Sequence, residues 1–275
     1  PGVRATAISL LGTRYPPDET AEAIARALKH RDTAVRAAAV AALEAQSPAS
    51  RDDLIRLHGL ILPRLTDRSR FVRVEAARVA SAWPRQMFSA EDRKALDAAI
   101  EEYRESLMVN SDQAGAHLTL GVLATNLGDV AGAEESYRTA MRLDPAVVGP
   151  RSNLAQLLNQ LGRQEEARQL QLEEVRLLER DVGLLPENAM LQYRLGLLQY
   201  LLGREQEAVK ALAAAVELEP QSVEFLMALT LLYEKHQRWP EALQAAGRLV
   251  ELQPEDPMCR QVLSNVRRAA AQSSD

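Results

Sequence analysis

The sequence predicts an all-α protein, folded as a right-handed α-solenoid of helix-turn-helix repeats. Prolines recur at 34-residue intervals at Pro186, Pro220 and Pro254, and two proline-ending stretches can be laid over each other, LGVLATNLGDVAGAEESYRTAMRLDP and LGLLQYLLGREQEAVKALAAAVELEP. Such a period is typical of units that cannot bury their own apolar faces and must stack. Only 4% of the residues are aromatic, while alanine and leucine are abundant, which favours packed helices over sheets.

Residues 1–88 contain a first repeat, in which a Val-Arg pair precedes a run of small residues. The pattern occurs at Val3-Arg4, Val35-Arg36 and Val72-Arg73, and apolar residues at helical spacing follow it. Between these pairs, helices are predicted over 18–30 and 51–65, with Asp18 and Ser50 as their N-caps.

This block resembles HEAT repeats, in which an aspartate and the arginine of Val-Arg form ladders between neighbouring repeats. Asp32 and Asp67 lie ahead of Arg36 and Arg73 in the sequence. The resemblance therefore implies that these four residues take part in such a ladder. The alternative is a set of surface charge pairs, each worth under ~1 kcal/mol.

Residues 89–112 are predicted to join this block to a second array through one long helix over 89–109. Ser89 followed by Asp92 is similar to a capping box, with aspartate in place of glutamate or glutamine. Tyr103 in this helix stands 34 residues before Tyr137. The helix therefore has the character of the second helix of a partial repeat.

Residues 113–256 contain four units that resemble tetratricopeptide repeats, counted from residues 114, 148, 189 and 223. The eighth position is mostly small: Gly121, Ala155, Gly196 and Thr230. The twentieth is always alanine: Ala133, Ala167, Ala208 and Ala242. The fifteenth is mostly glycine: Gly128, Gly162, Gly203 and Gln237. Small residues let the two helices of a unit approach closely, and the glycine suits a left-handed helix C-cap. Thr230 and Gln237 depart from the pattern.

The second unit exceeds the period, because Pro145 and Pro186 are 41 residues apart. The excess of seven residues makes about two helical turns. The second helix of this unit, around 164–181, is therefore expected to project beyond its neighbours. Residues 257–275 are predicted to form a capping helix that buries Cys259, followed by a disordered tail from residue 272.

The sequence carries no motif for catalysis or cofactor binding. It lacks GxGxxG, GxxxxGK[ST], HExxH and GxSxG patterns, and its four histidines are scattered. We therefore expect a non-enzymatic protein without a cofactor or a metal site. No basic run indicates nucleic-acid binding, and no apolar run reaches the roughly 18 residues of a membrane span.

The resemblance to tetratricopeptide repeats implies a partner-binding groove, lined by the second, fifth, ninth and twelfth residues of each first helix. The predicted groove consists of a polar patch and an adaptable apolar wall, formed by Gln156, Asn159, Met190, Tyr193, Leu197, Tyr200, Met227 and Leu231 at these positions and by Asn153, the sixth residue of its unit. Some family members clamp a peptide carboxylate with Lys, Arg and Asn at the fifth and ninth positions, and this chain has none of these three residue types there. The alternative is that these side chains pack against a neighbouring helix.

The combination of a Val-Arg block with tetratricopeptide-like units resembles the C-terminal region of some bacterial multihaem c-type cytochrome proteins. The supporting stretches are VRATAISLLGTRYP, DTAVRAAAVAAL, DRSRFVRVEAARVA and AEDRKALDAAIEEYRESL. The resemblance implies a periplasmic docking module whose haem-bearing part lies upstream of Pro1, since this chain has no CxxCH motif.

Our primary hypothesis is a scaffold that binds a protein or peptide, with a c-type cytochrome or another exported redox protein as one partner. An accessory region that orients an upstream cytochrome is a second hypothesis, and a cytosolic assembly adaptor is a third. The exposed ends of a solenoid also permit self-association.

Overall fold

The computed structural model describes residues 2–14, 17–44 and 51–273; for residues 9–14, 17–19 and 51–54 it describes the backbone alone. These residues form α-helices, short 3-10 turns and no strand, which confirms the predicted all-α repeat fold. The chain divides into two compact units, residues 1–150 and 151–275. The side chains of the predicted N-caps Asp18 and Ser50, and the last two residues of the predicted tail, lie outside this description.

The first unit has eight helices in its described residues. They are α1 (Gly2–Arg14), α2 (Pro17–Ala27), α3 (Thr33–Glu44), α4 (Arg51–Ile61), α5 (Arg70–Ala80), α6 (Ala90–Met108), α7 (Ala114–Leu127) and α8 (Val130–Leu143). The helices that carry the Val-Arg pairs, α1, α3 and α5, pack in a row, and α6 packs against α5. Ser89 Oγ accepts a hydrogen bond from the Asp92 amide at 3.1 Å, which confirms the predicted cap of α6.

A buried ion pair ties α3 to the turn before α5. Arg36 donates from Nε and Nη2 to the two carboxylate oxygens of Asp67, at 2.9 and 2.8 Å, and the two side chains are only 4% and 7% exposed. Arg36 Nη1 also donates to the main-chain oxygens of His30 and Arg31. The pair therefore joins successive helix pairs in the interior rather than on the surface.

The next arginine along the row has a different acidic partner. Arg73 donates to both carboxylate oxygens of Glu102 on α6, at 2.8 to 3.1 Å, and to the main-chain oxygen of Asp67. Asp32 accepts from the Ala34 amide at 2.9 Å and so caps α3. Of the four residues expected to form a ladder, Arg36 and Asp67 contact each other through their side chains. The side chain of Arg73 pairs instead with Glu102 of the joining helix.

The pair α7 and α8 shows why the eighth position is small. A Cβ atom on Gly121 would lie 2.5 Å from two ring carbons of the buried Tyr137 on α8. The same close approach recurs between α11 and α12, in the repeat counted from residue 189, where a Cβ on Gly196 would lie 2.8 Å from Leu212 Cγ. Since real Cβ atoms do not approach other atoms so closely, a residue larger than glycine at either position would force Tyr137 or Leu212 to shift.

The second unit consists of seven further helices. They are α9 (Pro150–Gln160), α10 (Gln164–Leu184), α11 (Ala189–Leu201), α12 (Glu205–Leu218), α13 (Val223–Lys235), α14 (Trp239–Leu252) and α15 (Pro257–Gln272). α10 has 21 residues, against 14 in α12 and α14, and the difference equals the excess in the proline spacing. α15 packs on α14 and buries Cys259 and Val266, as expected of a capping helix.

The turn after each first helix is left-handed in all four tetratricopeptide-like units. Gly128, Gly162 and Gly203 have φ of 76°, 77° and 75°, and Gln237 keeps the same conformation with φ of 55°. The backbone therefore requires the left-handed region even where the sequence departs from glycine. A non-glycine residue in this region costs roughly 1–2 kcal/mol.

Replacing Gln237 with glycine should therefore stabilise the protein. We expect Gln237→Gly to raise the free energy of unfolding by about 0.5–1 kcal/mol, since glycine adopts positive φ without a Cβ penalty. The reverse change at the matched position, Gly203→Gln, should lower it by a similar amount. Urea denaturation of the full chain measures both, and a loss of stability in Gln237→Gly would contradict the explanation.

Removing the buried carboxylate should be costly. Asp67→Asn leaves the Arg36 guanidinium buried without its counter-charge, and we expect a loss of roughly 3–5 kcal/mol at pH 7. The control is Glu105→Gln, which breaks the exposed ion pair with Arg70 and should cost less than about 1 kcal/mol. Equal losses in urea denaturation would contradict a special role for the buried pair.

The same pair predicts a pH dependence. Burial raises the pKa of the Asp67 carboxyl, but hydrogen bonds from Arg36 and the Ser69 amide outweigh it, so the pKa lies below its ordinary value of 3.8. Such a group stabilises the fold above its unfolded pKa and loses that contribution as pH falls through its folded pKa. The stability difference between the wild type and Asp67→Asn should therefore shrink below pH 3.8; a constant difference would disprove the linkage.

Candidate functional site

Three helices of residues 150–275, namely α9, α11 and α13, carry all nine predicted groove residues. Two cavities open beside the C-terminal half of α11. Leu197 and Tyr200 line one of them, and the adjacent residues Leu198 and Leu201 line the other. Because successive helical residues point about 100° apart, the same two turns of α11 serve both cavities.

The apolar cavity lies between α11 and α13 and measures about 270 Å³. It is lined by apolar and aromatic side chains with one lysine, namely Leu197, Tyr200, Leu212, Ala228, Leu231, Leu232 and Lys235. Leu231 is 49% exposed, whereas Leu232 and Leu212 are buried beneath it. The cavity therefore combines a buried floor with an open apolar edge.

Lys235 stands at this edge in a small charged cluster. Its Nζ lies 4.5 Å from the centre of the Tyr200 ring, donates to Tyr200 Oη at 3.2 Å and lies 3.8 Å from Glu205 Oε1. The hydrogen bond to Tyr200, with the nearby Glu205, raises the pKa of Lys235. His236 Nδ1 lies 3.5 Å from the other oxygen of Glu205. The ammonium group is thus held charged beside the apolar cavity.

The amide cavity lies against α9, α10 and α11 and measures about 530 Å³. Its lining is formed by Ser152, Asn153, Gln156, Asn159, Gln160, Gln171, Leu198 and Leu201. All eight lining residues, each within the described part of the chain, are uncharged. Leu201 is 66% exposed and forms an apolar edge.

The predicted groove residues fall into three groups. Leu197, Tyr200 and Leu231 come together in the apolar cavity. Asn153, Gln156 and Asn159 come together in the amide cavity. The remaining three lie outside the lining of both: Met190 is exposed at the start of α11, while Tyr193 and Met227 are partly buried against the core of the second unit.

Tyr193 packs sideways between two helices. Its ring centre lies 4.7 Å from that of Phe225 on α13, with 30° between the ring planes. Burial, together with the charge and hydrogen bond of Glu224, raises the pKa of Tyr193 to about 12. The phenol therefore stays protonated at neutral pH, and the ring connects α11 to α13 beside the apolar cavity.

Several residues that line the two cavities were not among the predicted groove residues. Lys235 follows Leu231 by four residues and so shares its face of α13; extending the groove stripe by one turn identifies it. Gln171 belongs to a second helix, α10, and Leu212 to another, α12. Rules for the first helices alone give no signal for these two.

Other kinds of site are missing from the described residues. Among residues 2–14, 17–44 and 51–273, no three His, Cys, Asp or Glu side chains gather in a group that could hold a metal ion. In the same residues, no helix is both long and apolar enough to span a membrane.

A family model for the tetratricopeptide repeat matches residues 90–148, 175–222 and 206–257, which together make just over half of the chain. The chain therefore belongs to the tetratricopeptide repeat family. Proteins of this family are typically non-enzymatic scaffolds for protein interactions. The first match begins with α6, and the gap between the first and second matches, residues 149–174, holds α9 and the first half of the long helix α10.

Three solved structures are similar to parts of this chain. A tetratricopeptide repeat protein from Thermus thermophilus is 27% identical, with 62% of this chain and 89% of that chain covered and a TM-score of 0.48. A MamA fragment from Desulfovibrio magneticus is 18% identical, with coverages of 67% and 97% and a TM-score of 0.41. YrrB, described as having an unusual peptide-binding site, is 18% identical, with coverages of 70% and 91% and a TM-score of 0.43. No curated protein matches the chain by sequence.

Proposed function

We propose that this protein is a non-enzymatic scaffold that holds a segment of a partner protein against α9, α11 and α13. The observation that carries the proposal is the apolar cavity, in which six apolar or aromatic side chains surround about 270 Å³ with a lysine at the edge. A partner inserts one large apolar side chain there. The chain supplies binding and orientation rather than chemistry, and it needs no cofactor.

The size of the apolar cavity supports a side chain as its occupant. Pockets for small molecules usually measure ~300–1,000 Å³, and this cavity lies just below that range. Burying one leucine, methionine or phenylalanine side chain contributes about 1.5–3 kcal/mol. The charge of Lys235 at the edge favours an acidic group near this anchor and affects orientation more than affinity.

We also propose that residues 1–88 are HEAT-like and that the chain is the periplasmic docking module of a multihaem c-type cytochrome protein. The contact between Arg36 and Asp67 supports the first part, because it links successive helix pairs as the ladder of HEAT repeats does. The sequence resemblance supports the second part. A cytosolic assembly adaptor, which uses the same groove, is the alternative.

The groove assignment predicts which variant loses binding. Displayed random 12-residue peptides selected on the full chain should share a large apolar residue. Leu231→Gln places a polar group at the edge of the apolar cavity and should weaken the selected peptides at least about tenfold, or ~1.4 kcal/mol.

The matched control is Leu252→Gln on the second helix α14, where the leucine is 38% exposed and lies outside the lining of both cavities. This variant should bind like the wild type, and fluorescence anisotropy measures all three affinities. Failure to select any peptide, or equal binding by both variants, would count against the groove.

The cellular context has its own test. The full chain is used as bait on periplasmic and cytoplasmic fractions of the cells that make it, with Leu231→Gln as the control bait. We expect the wild type alone to retain a haem-containing protein from the periplasmic fraction, detected by haem staining of the gel. Retention of cytoplasmic proteins only would overturn the cytochrome context and favour the adaptor.

A further inference from the structure

One arginine of the Val-Arg series in residues 1–88 has no acidic partner. The later two, Arg36 and Arg73, each bind a carboxylate of a neighbouring element. Arg4, the arginine of the first pair, is exposed, and its Nη1 lies 3.3 Å from Nε2 of His30. Within the described part of the chain, no carboxylate pairs with Arg4.

The contact between Arg4 and His30 brings two donors together. Nδ1 of His30 accepts a hydrogen bond from the main-chain N–H of Asp32 at 3.0 Å. A neutral imidazole has one accepting and one donating nitrogen, so the N–H of this ring is at Nε2. Because a guanidinium group only donates, neither side chain satisfies the other. A negatively charged oxygen between them would accept from both.

Two further arginines continue this donor pair along the row of helices. Arg31 and Arg68 each stand five residues ahead of the arginine of a Val-Arg pair, and Arg68 Nη2 donates to the main-chain oxygen of Arg31 at 3.1 Å. Both are exposed, as is Lys29, and none of the three forms an ion pair within the described residues. The basic edge is the name we give to Arg4, Lys29, His30, Arg31 and Arg68.

The carboxylates nearest to the basic edge are already engaged. Asp67 accepts from Arg36 and from the Ser69 amide, and it lies 3.7 Å from Arg64. Asp32 accepts from two main-chain amides at the start of α3. The exposed cations of the basic edge are therefore available to a partner.

We propose that the basic edge binds an extended, acidic segment of a partner protein that carries a carboxylate at about every third residue. One carboxylate lies between Arg4 and His30. The next two pair with Arg31 and Arg68, since a guanidinium group can donate two parallel N–H groups to a carboxylate. The site goes beyond the proposed function, because it uses residues 1–88 and none of the groove residues of α9, α11 and α13.

The spacing of the carboxylates follows from helix packing. The helices α1, α3 and α5 pack in a row, and packed helices lie about 8–10 Å apart. A chain of the polyproline II type points every third side chain in the same direction and advances ~9 Å over those three residues. Carboxylates three residues apart therefore meet successive cations of the row, whereas contiguous carboxylates do not.

Large polyanions fit the basic edge less well than a narrow peptide. Nucleic-acid binding neutralises many phosphates at once, whereas the basic edge has four cationic side chains and the whole chain has a net charge of −5. A flat anionic membrane would also meet Glu105, which is exposed on α6 beside the start of α5. A single extended segment reaches the row without meeting this carboxylate.

Two labelled peptides of equal composition test the proposal on the full chain. One repeats Asp-Pro-Ser three times, and the other has the same residues with its three aspartates contiguous. In fluorescence anisotropy at about 0.02 M salt, we expect the repeat to bind at least about threefold more tightly. Its binding should disappear at about 0.3 M salt, because exposed charge pairs are screened. Equal affinities, or binding that salt does not weaken, would overturn the proposal.

A matched pair of double variants assigns the binding to the basic edge. Arg31→Gln with Arg68→Gln should weaken the repeat peptide about five- to tenfold. The control is Arg93→Gln with Lys94→Gln, which removes two exposed charges at the opposite end of α6 from Glu105 and should bind like the wild type. Circular dichroism and urea denaturation check that both fold. Equal weakening by the two double variants would contradict a defined site.

Two single variants separate this site from the groove and from a membrane surface. Arg4→Gln should weaken the repeat peptide about two- to threefold, while Leu231→Gln should leave its affinity unchanged. Loss of binding in Leu231→Gln would place the peptide in the groove and overturn the proposal. If vesicles that contain phosphatidylserine bind the wild type but not the Arg31 and Arg68 double variant, and neither peptide binds, the basic edge contacts a membrane and the proposal is wrong.

Discussion

The close approach of paired helices is the constraint on which the rest of the structure depends. At Gly121 and Gly196 there is no room for a Cβ against Tyr137 and Leu212, and the alanines at the twentieth positions are fully buried. These contacts hold α7 against α8 and α11 against α12, and Tyr200, further along α11, lines the apolar cavity.

The elements that were predictable from the sequence are those fixed by local geometry. The left-handed turns at Gly128, Gly162 and Gly203 follow from glycine at the fifteenth position, and Gln237 at the matched position has the same conformation. The cap of α6 by Ser89 depends on residues only three positions apart. Such features need no knowledge of which helices are neighbours.

What the sequence could not provide depends on distances between elements. Arg73 donates its side-chain hydrogen bonds to Glu102 rather than to an aspartate, because α6 packs beside α5. Tyr193 occupies a groove position of α11, yet its ring packs against the ring of Phe225 on α13. Gln171 reaches the amide cavity from a second helix. A helical wheel gives the direction of a side chain but not its distance from the neighbouring helix.

The seven additional residues of α10 carry a lesson about how such arrays tolerate insertions. Seven residues turn a helix by nearly two full revolutions, short by about 20°, so Ala167 and Glu174, seven apart, are both fully buried on the same face. An insertion of five residues would rotate everything after it by about 140° and turn the apolar stripe towards solvent. A packed helix can therefore be lengthened by close to a whole number of turns without disturbing its packing. A repeat of irregular length then still buries one continuous apolar face.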